Sequence, residues 1–268
     1  MRLFKNGNLL ITGNGFAGYN FASPANAVSI GAFTGPGAVG GTIINGYVDD
    51  FIVTKGVAKY TTNFVPQLTY DIELLFNGQD GSKTFTNTGT MVFQSVIASA
   101  NASISTAMPI SGTGSLSLPS VSDYVNFTLP TTYDASTPVT FEFSFKKTEG
   151  TLFCPLIFYT ASNSNFYPFL LYAGSLFCGG TIYGSNIISV PSTIVDGTVY
   201  RCAVTFDGTT WRMYIEGTMI GSSVYKFTGL LSTMQIGLYP GVGGSVGLID
   251  NVKIAFGTAR YTGSSYLL

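Results

Sequence analysis

The sequence predicts an all-β protein made of two stacked antiparallel sheets, on three observations. Nearly every segment alternates apolar and polar residues with a period of two, as half-buried strands do. Gly, Asn, Asp and Pro punctuate these segments at short intervals, and no helical stripe of useful length intervenes. The chain is 46% apolar and 14% aromatic against 9% charged, about a third of the usual charged share, so it has ample surface to bury and disorder is excluded. A dozen or more short strands without helices can pack only against one another, face to face.

Taken in order, residues 1–12 read as a hairpin around Asn6-Gly7, the strongest short turn signal. Residues 13–26 form a loop, 27–33 a strand, 34–41 a Gly/Pro loop and 43–54 another strand. Val65-Pro66-Gln67-Leu68 reads as a linker. Strands follow at 70–76 and 83–86, separated by the loop Asn77-Gly78-Gln79-Asp80-Gly81-Ser82, and short strands and turns fill 91–118. Residues 123–129 are a strand; beyond it Phe141, Phe143 and Phe145 point one way while Glu142, Ser144 and Lys146 point the other. Residues 152–160 and 167–173 flank the polar loop Ala161-Ser162-Asn163-Ser164-Asn165. Residues 200–206 and 211–215 are joined by Asp207-Gly208-Thr209-Thr210, Glu216-Gly217 turns into 218–222, and 234–238 and 248–254 close the set.

A repeat organises the whole. Gly46-Tyr47-Val48-Asp49-Asp50-Phe51 through Lys59-Tyr60-Thr61 recurs, at a constant offset of 201 residues, as Gly247-Leu248-Ile249-Asp250-Asn251-Val252 through Arg260-Tyr261-Thr262. Upstream, Arg2-Leu3-Phe4-Lys5-Asn6-Gly7 matches Arg212-Met213-Tyr214-Ile215-Glu216-Gly217, and Ile30-Gly31-Ala32-Phe33 matches Ile236-Gly237-Leu238-Tyr239. Three anchors in one order mark an internal repeat. Residues 1–68 are therefore expected to be the C-terminal part of a domain present in full at 69–268. Strands near 1–12 and 43–54 would need completion by preceding sequence or by another subunit.

Composition removes several function classes. A net charge of −1 without basic runs argues against nucleic acid, which needs a clustered cationic footprint. The apolar run Leu9-Leu10-Ile11 is far shorter than a secretory h-region, and the stretch from Phe166 to Cys178, broken by Pro168 and Gly174, is too short to span a bilayer. Neither a leader nor membrane insertion is expected. Cys154, Cys178 and Cys202 read as buried free thiols. The chain has no His, which removes the usual general base and the Ser-His-Asp arrangement. Gly243-Gly244-Ser245-Val246-Gly247 fits a nucleophile elbow, but no helix or partner base follows. Gly13-Asn14-Gly15-Phe16-Ala17-Gly18 fits a dinucleotide fingerprint, yet Ser23-Pro24 falls where the helix would have to run. Both read as loops.

Leu74-Leu75-Phe76-Asn77-Gly78, Asp123-Tyr124-Val125, the run from Ala203 to Gly217 and the closing 247–261 together resemble the laminin-G-like, concanavalin A-like jelly roll. The closing motif, above all residues 46–60 with Asn63-Phe64-Val65-Pro66, resembles the version in tail fibres and other virion surface proteins of bacteriophages. That resemblance implies a non-enzymatic virion protein exposed on the particle surface. It would bind host-surface glycans or serve as a structural adhesion module, with other virion proteins or copies of itself as partners. The alternatives are a purely structural coat or decoration protein without a ligand, and a secreted glycoside hydrolase of the same fold. The resemblance also implies either no cofactor or a calcium ion.

Sugar recognition needs aromatic faces beside amide donors on a loop, which Asn163, Asn165, Phe166 and Tyr167 offer, as do Tyr183, Asn186 and Tyr239. For calcium, an oxygen-seeking ion, the candidates are the recurring Asp49 and Asp250, joined by Asn77, Asp80 or Asn251. The other reading of these acids is that they cap backbone N–H groups at a bulge or turn. Asp71 and Glu73, about 7 Å apart on one strand face, have a spacing that hydrolysis could use, and they read as solvated acids on an opening strand. Lys59-Tyr60 and Arg260-Tyr261 are expected to pack as structural residues.

Overall fold

A computed structural model describes residues 70–160, 165–179, 186–225, 227–239 and 243–266, and the backbone alone of 2–5, 8–12 and 186. The chain divides into two compact units, Met1–Leu68 and Thr69–Leu268. In the first, β1 (Arg2–Lys5) and β2 (Asn8–Thr12) pair antiparallel with Lys5 opposite Asn8, the hairpin expected around Asn6-Gly7. Residues 13–69, with Asp49 and the first copy of the repeated motif, lie outside the described residues.

The second unit is all-β. Its described strands are β3 (Ile72–Leu74), β4 (Ser95–Ala98), β5 (Ser103–Ser105), β6 (Ser115–Leu118), β7 (Val125–Asp134), β8 (Val139–Glu149) and β9 (Leu152–Thr160). Then follow β10 (Asn165–Tyr172), β11 (Ser175–Gly179), β12 (Asn186–Pro191), β13 (Val199–Phe206), β14 (Trp211–Ile215) and β15 (Thr218–Ser223). The last four are β16 (Leu230–Ile236), β17 (Leu238–Tyr239), β18 (Gly243–Gly244) and β19 (Val246–Phe256). One seven-stranded sheet runs β12-β11-β10-β9-β16-β7-β4; the facing sheet runs β15-β14-β13-β8-β19-β6-β5, with β3 also on β19. This is the two-sheet jelly-roll sandwich. The strand expected at 83–86 is absent: that segment is held by Lys83, whose ammonium donates to the carbonyls of Ser99 and Ala100, rather than by a ladder.

Alternation fills the space between the sheets. Phe141, Phe143 and Phe145 of β8 point inward and meet Phe158, Phe169 and Phe153 of the opposite sheet at centroid distances of 5.4, 5.5 and 4.8 Å. Trp211, fully buried, stacks on Phe206 at 4.7 Å and lies 5.2 Å from Phe166. Phe166 was a sugar-binding candidate in the sequence; here its ring has no exposed surface, because the alternation of β10 turns it into the core.

The closing motif works as a strap across the outer face of the eight-stranded sheet. Thr140 Oγ1 accepts the Arg260 N–H at 2.9 Å and donates to the Thr258 carbonyl, Thr205 Oγ1 donates to the Tyr261 carbonyl at 2.7 Å, and the Tyr214 hydroxyl donates to the Gly263 carbonyl at 2.7 Å. Arg260-Tyr261 thus pack structurally, as their recurrence implied. Within β19 the register slips between Asp250 and Lys253, where its partner changes from β6 to β3, and Asn251 sits there at φ 51°. Asn is among the few side chains that adopt this left-handed conformation without large strain.

Candidate functional site

The outer face of the seven-stranded sheet is built by the same alternation that fills the core. Phe127, Met234, Phe158 and Phe166 point inward, so their neighbours point out. Register then sets those neighbours side by side: Ser95 faces Thr128, Thr128 faces Thr233, Thr233 faces Tyr159 and Tyr159 faces Asn165. The result is a row of hydroxyl, phenol and amide groups across five adjacent strands, about 19 Å long at the usual interstrand spacing. None of the row is fully buried.

A second tier backs it. Gln235, opposite Asn126 on β7 and Ile157 on β9, accepts the Tyr159 hydroxyl at Oε1, 2.5 Å away. Asn126 Oδ1 is enclosed and has no hydrogen-bond partner among the described residues, a buried acceptor that a ligand or water hydroxyl would satisfy. Burial pushes the Tyr159 phenol up to about 12, aided by the neighbouring Cys154, Tyr124 and Tyr239, so it stays a neutral donor at any physiological pH. The row holds no carboxylate or ammonium. It can hydrogen-bond a neutral polyhydroxylated molecule and offer it one half-buried aromatic ring.

Of the residues expected to touch sugar, Asn165 belongs to this row. Tyr167 and Tyr239 come together at 5.9 Å, but both are buried against Cys154, Ile157 and Leu170 on the outer side of the same sheet, so they support the face rather than present a ring to solvent. Asn186 opposes Gly179 and stands at the same sheet end as Asn165, because β9 to β12 run in antiparallel succession. Asn163 and Tyr183 lie outside the described residues. Ser95, Asn126, Thr128, Tyr159, Thr233 and Gln235 were not singled out in the sequence. Alternation marks each as outward, but only the pairing of β16 between β7 and β9 unites them.

Of the described calcium candidates, Asn77, Asp80 and Asp250 are each engaged in hydrogen bonds to backbone or hydroxyl donors. Asn77 Oδ1 accepts the Thr113 N–H at 2.8 Å, Asp80 Oδ1 accepts the Thr106 N–H at 2.9 Å, and Asp250 Oδ2 accepts the Ser111 N–H and Ser115 hydroxyl, each at 3.0 Å. All three oxygens are engaged in holding one segment, 106–115, to the sandwich. Asp250 has no exposed surface; burial raises its carboxyl to about 6, partly offset by donors from Asn251, Ser115 and Ser111. Among the described residues no group of three Cys, Asp or Glu side chains could hold a metal. Asp71 accepts the Phe256 N–H at 2.7 Å and Glu73 pairs with Lys253 at 3.3 Å, so the spacing considered for hydrolysis is taken up by structural contacts. Ser245 is buried, and its hydroxyl accepts the Cys154 N–H at 2.8 Å.

Comparison with known proteins places this geometry. The family model described as the concanavalin A-like lectin/glucanases superfamily matches residues 119–258. Among solved structures, the botulinum neurotoxin serotype D binding domain is similar at a TM-score of 0.55 and 13% identity, over 72% of this chain and 49% of that one. Domain 4 of an extracellular arabinanase from Geobacillus stearothermophilus, in complex with arabinotriose, gives 0.51 and 15%, over 72% and 94%. Trypanosoma rangeli sialidase in complex with sialic acid gives 0.52 and 11%, over 78% and 34%. The chain thus spans about half of the neurotoxin domain and a third of the sialidase. These likenesses are of fold. No curated protein matches the sequence.

Proposed function

We propose that this chain, which belongs to the concanavalin A-like lectin/glucanases superfamily, is a non-enzymatic glycan-binding module carried on a virion surface. The observation that carries the binding part is the row Ser95, Thr128, Thr233, Tyr159 and Asn165, with the unpartnered Asn126 Oδ1 beside it. A sugar presents hydroxyls at close intervals and an apolar face of C–H groups. The row supplies donors and acceptors at one interstrand spacing, and the Tyr159 ring supplies the apolar contact. Domain 4 of the arabinanase, nearly all of which this chain matches in fold, was solved in complex with arabinotriose, which supports the choice of ligand class.

One observation favours binding over hydrolysis: Asp71 and Glu73, the carboxylates spaced for it, are tied to Phe256 and Lys253. The virion setting rests on the repeated closing motif and on the sparse charge of the chain, which suits extensive contact with other virion proteins or with copies of itself. A second reading, a structural component without a ligand, is favoured by edge strand β4, where Val96 and Ile97 are exposed at 40% and 57%.

The test is a screen of the full chain against an array of neutral and acidic glycans. Binding to a defined set of structures is the expected result. A blank array, together with a native mass several times that of one chain, would favour the structural reading instead.

A further inference from the structure

The outer face of the other sheet carries a separate feature. Ser117 of β6, Leu248 of β19 and Lys146 of β8 stand in one row, since Leu248 opposes both of the others. They form part of an open cleft of about 210 Å³, whose further lining includes Ser105, Met108 and Thr148. Drug-sized ligands occupy pockets of about 300–1,000 Å³, so this one suits a single small ring. Ala107 and Met108 of its wall belong to segment 106–115, which Asp80, Asn77 and Asp250 hold in place from three points. Three of the residues considered for calcium thus help to shape the cleft.

The distribution of positive charge singles the cleft out. Lys147 pairs with Asp196, Arg201 with Glu216, Arg212 with Asp207 and Lys253 with Glu73. Lys83 donates to two carbonyls, and the Arg260 guanidinium lies 3.6 Å over the Tyr70 ring. Among the described residues, Lys146 is the cationic side chain with no such partner, and it faces the cleft. Asp250, two residues along β19 from the Leu248 that faces Lys146, is sealed from solvent with its oxygens already accepting three donors.

We infer that this cleft is a second binding site, for a sugar bearing a carboxylate. The anionic group pairs with Lys146 Nζ, the ring hydroxyls meet Ser105 and Ser117, and the ring's apolar face lies on Leu248 and Met108. The anion part stands on the cleft alone; the saccharide part rests on the glycan-binding reading above.

The experiment is ligand-observed NMR on the full chain with D-glucuronate, D-glucose and acetate, at low and at 0.5 M salt. Glucuronate is expected to bind, to weaken roughly five- to tenfold with Lys146→Gln, and to weaken in high salt. Met108→Glu, at a position 64% exposed and so tolerant of change, is expected to abolish it by repulsion. The whole series is run in the Thr128→Ala, Tyr159→Ala background, which removes the polar row on the opposite sheet, so the binding that is read belongs to the cleft. Equal binding of glucose and glucuronate, or no effect of Lys146→Gln, would overturn the site. Acetate binding as well as glucuronate would overturn its assignment to a sugar.

Discussion

The Tyr261 hydroxyl donates to the Glu142 carboxylate at 2.9 Å, joining the closing strap to the central strand of the eight-stranded sheet. Tyr70 donates to the same carboxylate at 3.0 Å from the opening of the domain, so both ends of the unit meet on one acid. Tyr261→Phe removes one of these charge-assisted bonds without opening a cavity. The expected cost is about 1.5–3 kcal/mol, read from urea unfolding monitored by the single Trp. A midpoint equal to that of the wild type would show that the strap adds nothing.

Asp250 predicts a pH dependence with a definite sign. Its carboxyl titrates near 6 in the folded protein and near 4 when unfolded. Below about pH 4 both states hold the proton. Between about 4 and 6 the unfolded chain releases it first, so the contribution of this group to stability falls as pH rises, by a few kcal/mol at most. Asp207, held low by the Thr209 hydroxyl and then by Arg212, acts in the opposite sense, losing stability as pH falls below about 4. The measurement is therefore the difference between the unfolding profiles of wild type and Asp250→Asn. That difference should change across pH 4–6 and be flat above it; parallel profiles throughout would refute the assignment.

Phe166 distinguishes core from site. Its ring contacts Phe141 at 5.9 Å, Trp211 at 5.2 Å and Phe227 at 4.9 Å. Phe166→Ala should cost about 3–5 kcal/mol and leave glycan affinity intact below the new melting temperature. A large loss of affinity with little loss of stability would return Phe166 to the binding site.

The three thiols are sealed. Cys154, Cys178 and Cys202 are buried, and burial pushes each thiol well above its ordinary range. A thiol reagent should label none of them in the native protein and all three in denaturant. Rapid labelling of any one without denaturant would contradict this packing.

These residues also show how far the sequence could be read. The inward triplet Phe141, Phe143 and Phe145 and the strands of residues 152–160 and 211–215 were legible because period-two alternation and turn residues are local signals. Strands β11 and β12 were not, since Leu176-Phe177-Cys178 and Ile187-Ile188 alternate poorly and their place depends on pairing at a sheet edge. Phe166 was misread for a related reason: a loop-flanking aromatic looks the same on either face until register fixes which way it turns. The polar row depends on β16 inserting between β7 and β9, a long-range pairing that no local pattern encodes. Asp250 was recognised as special by its recurrence, yet its role in holding Ser111 and Ser115 became visible only with the fold in hand.

The most direct test of the glycan-binding account is calorimetric titration of an array-selected sugar into the wild type and into the double variant Thr128→Ala, Tyr159→Ala. Both positions are partly exposed, so the variant should remain folded, with a melting temperature lowered by only a few degrees. An affinity reduced tenfold or more in that folded variant is the predicted result. An unchanged affinity would contradict the placement of the site on the outer face of the seven-stranded sheet.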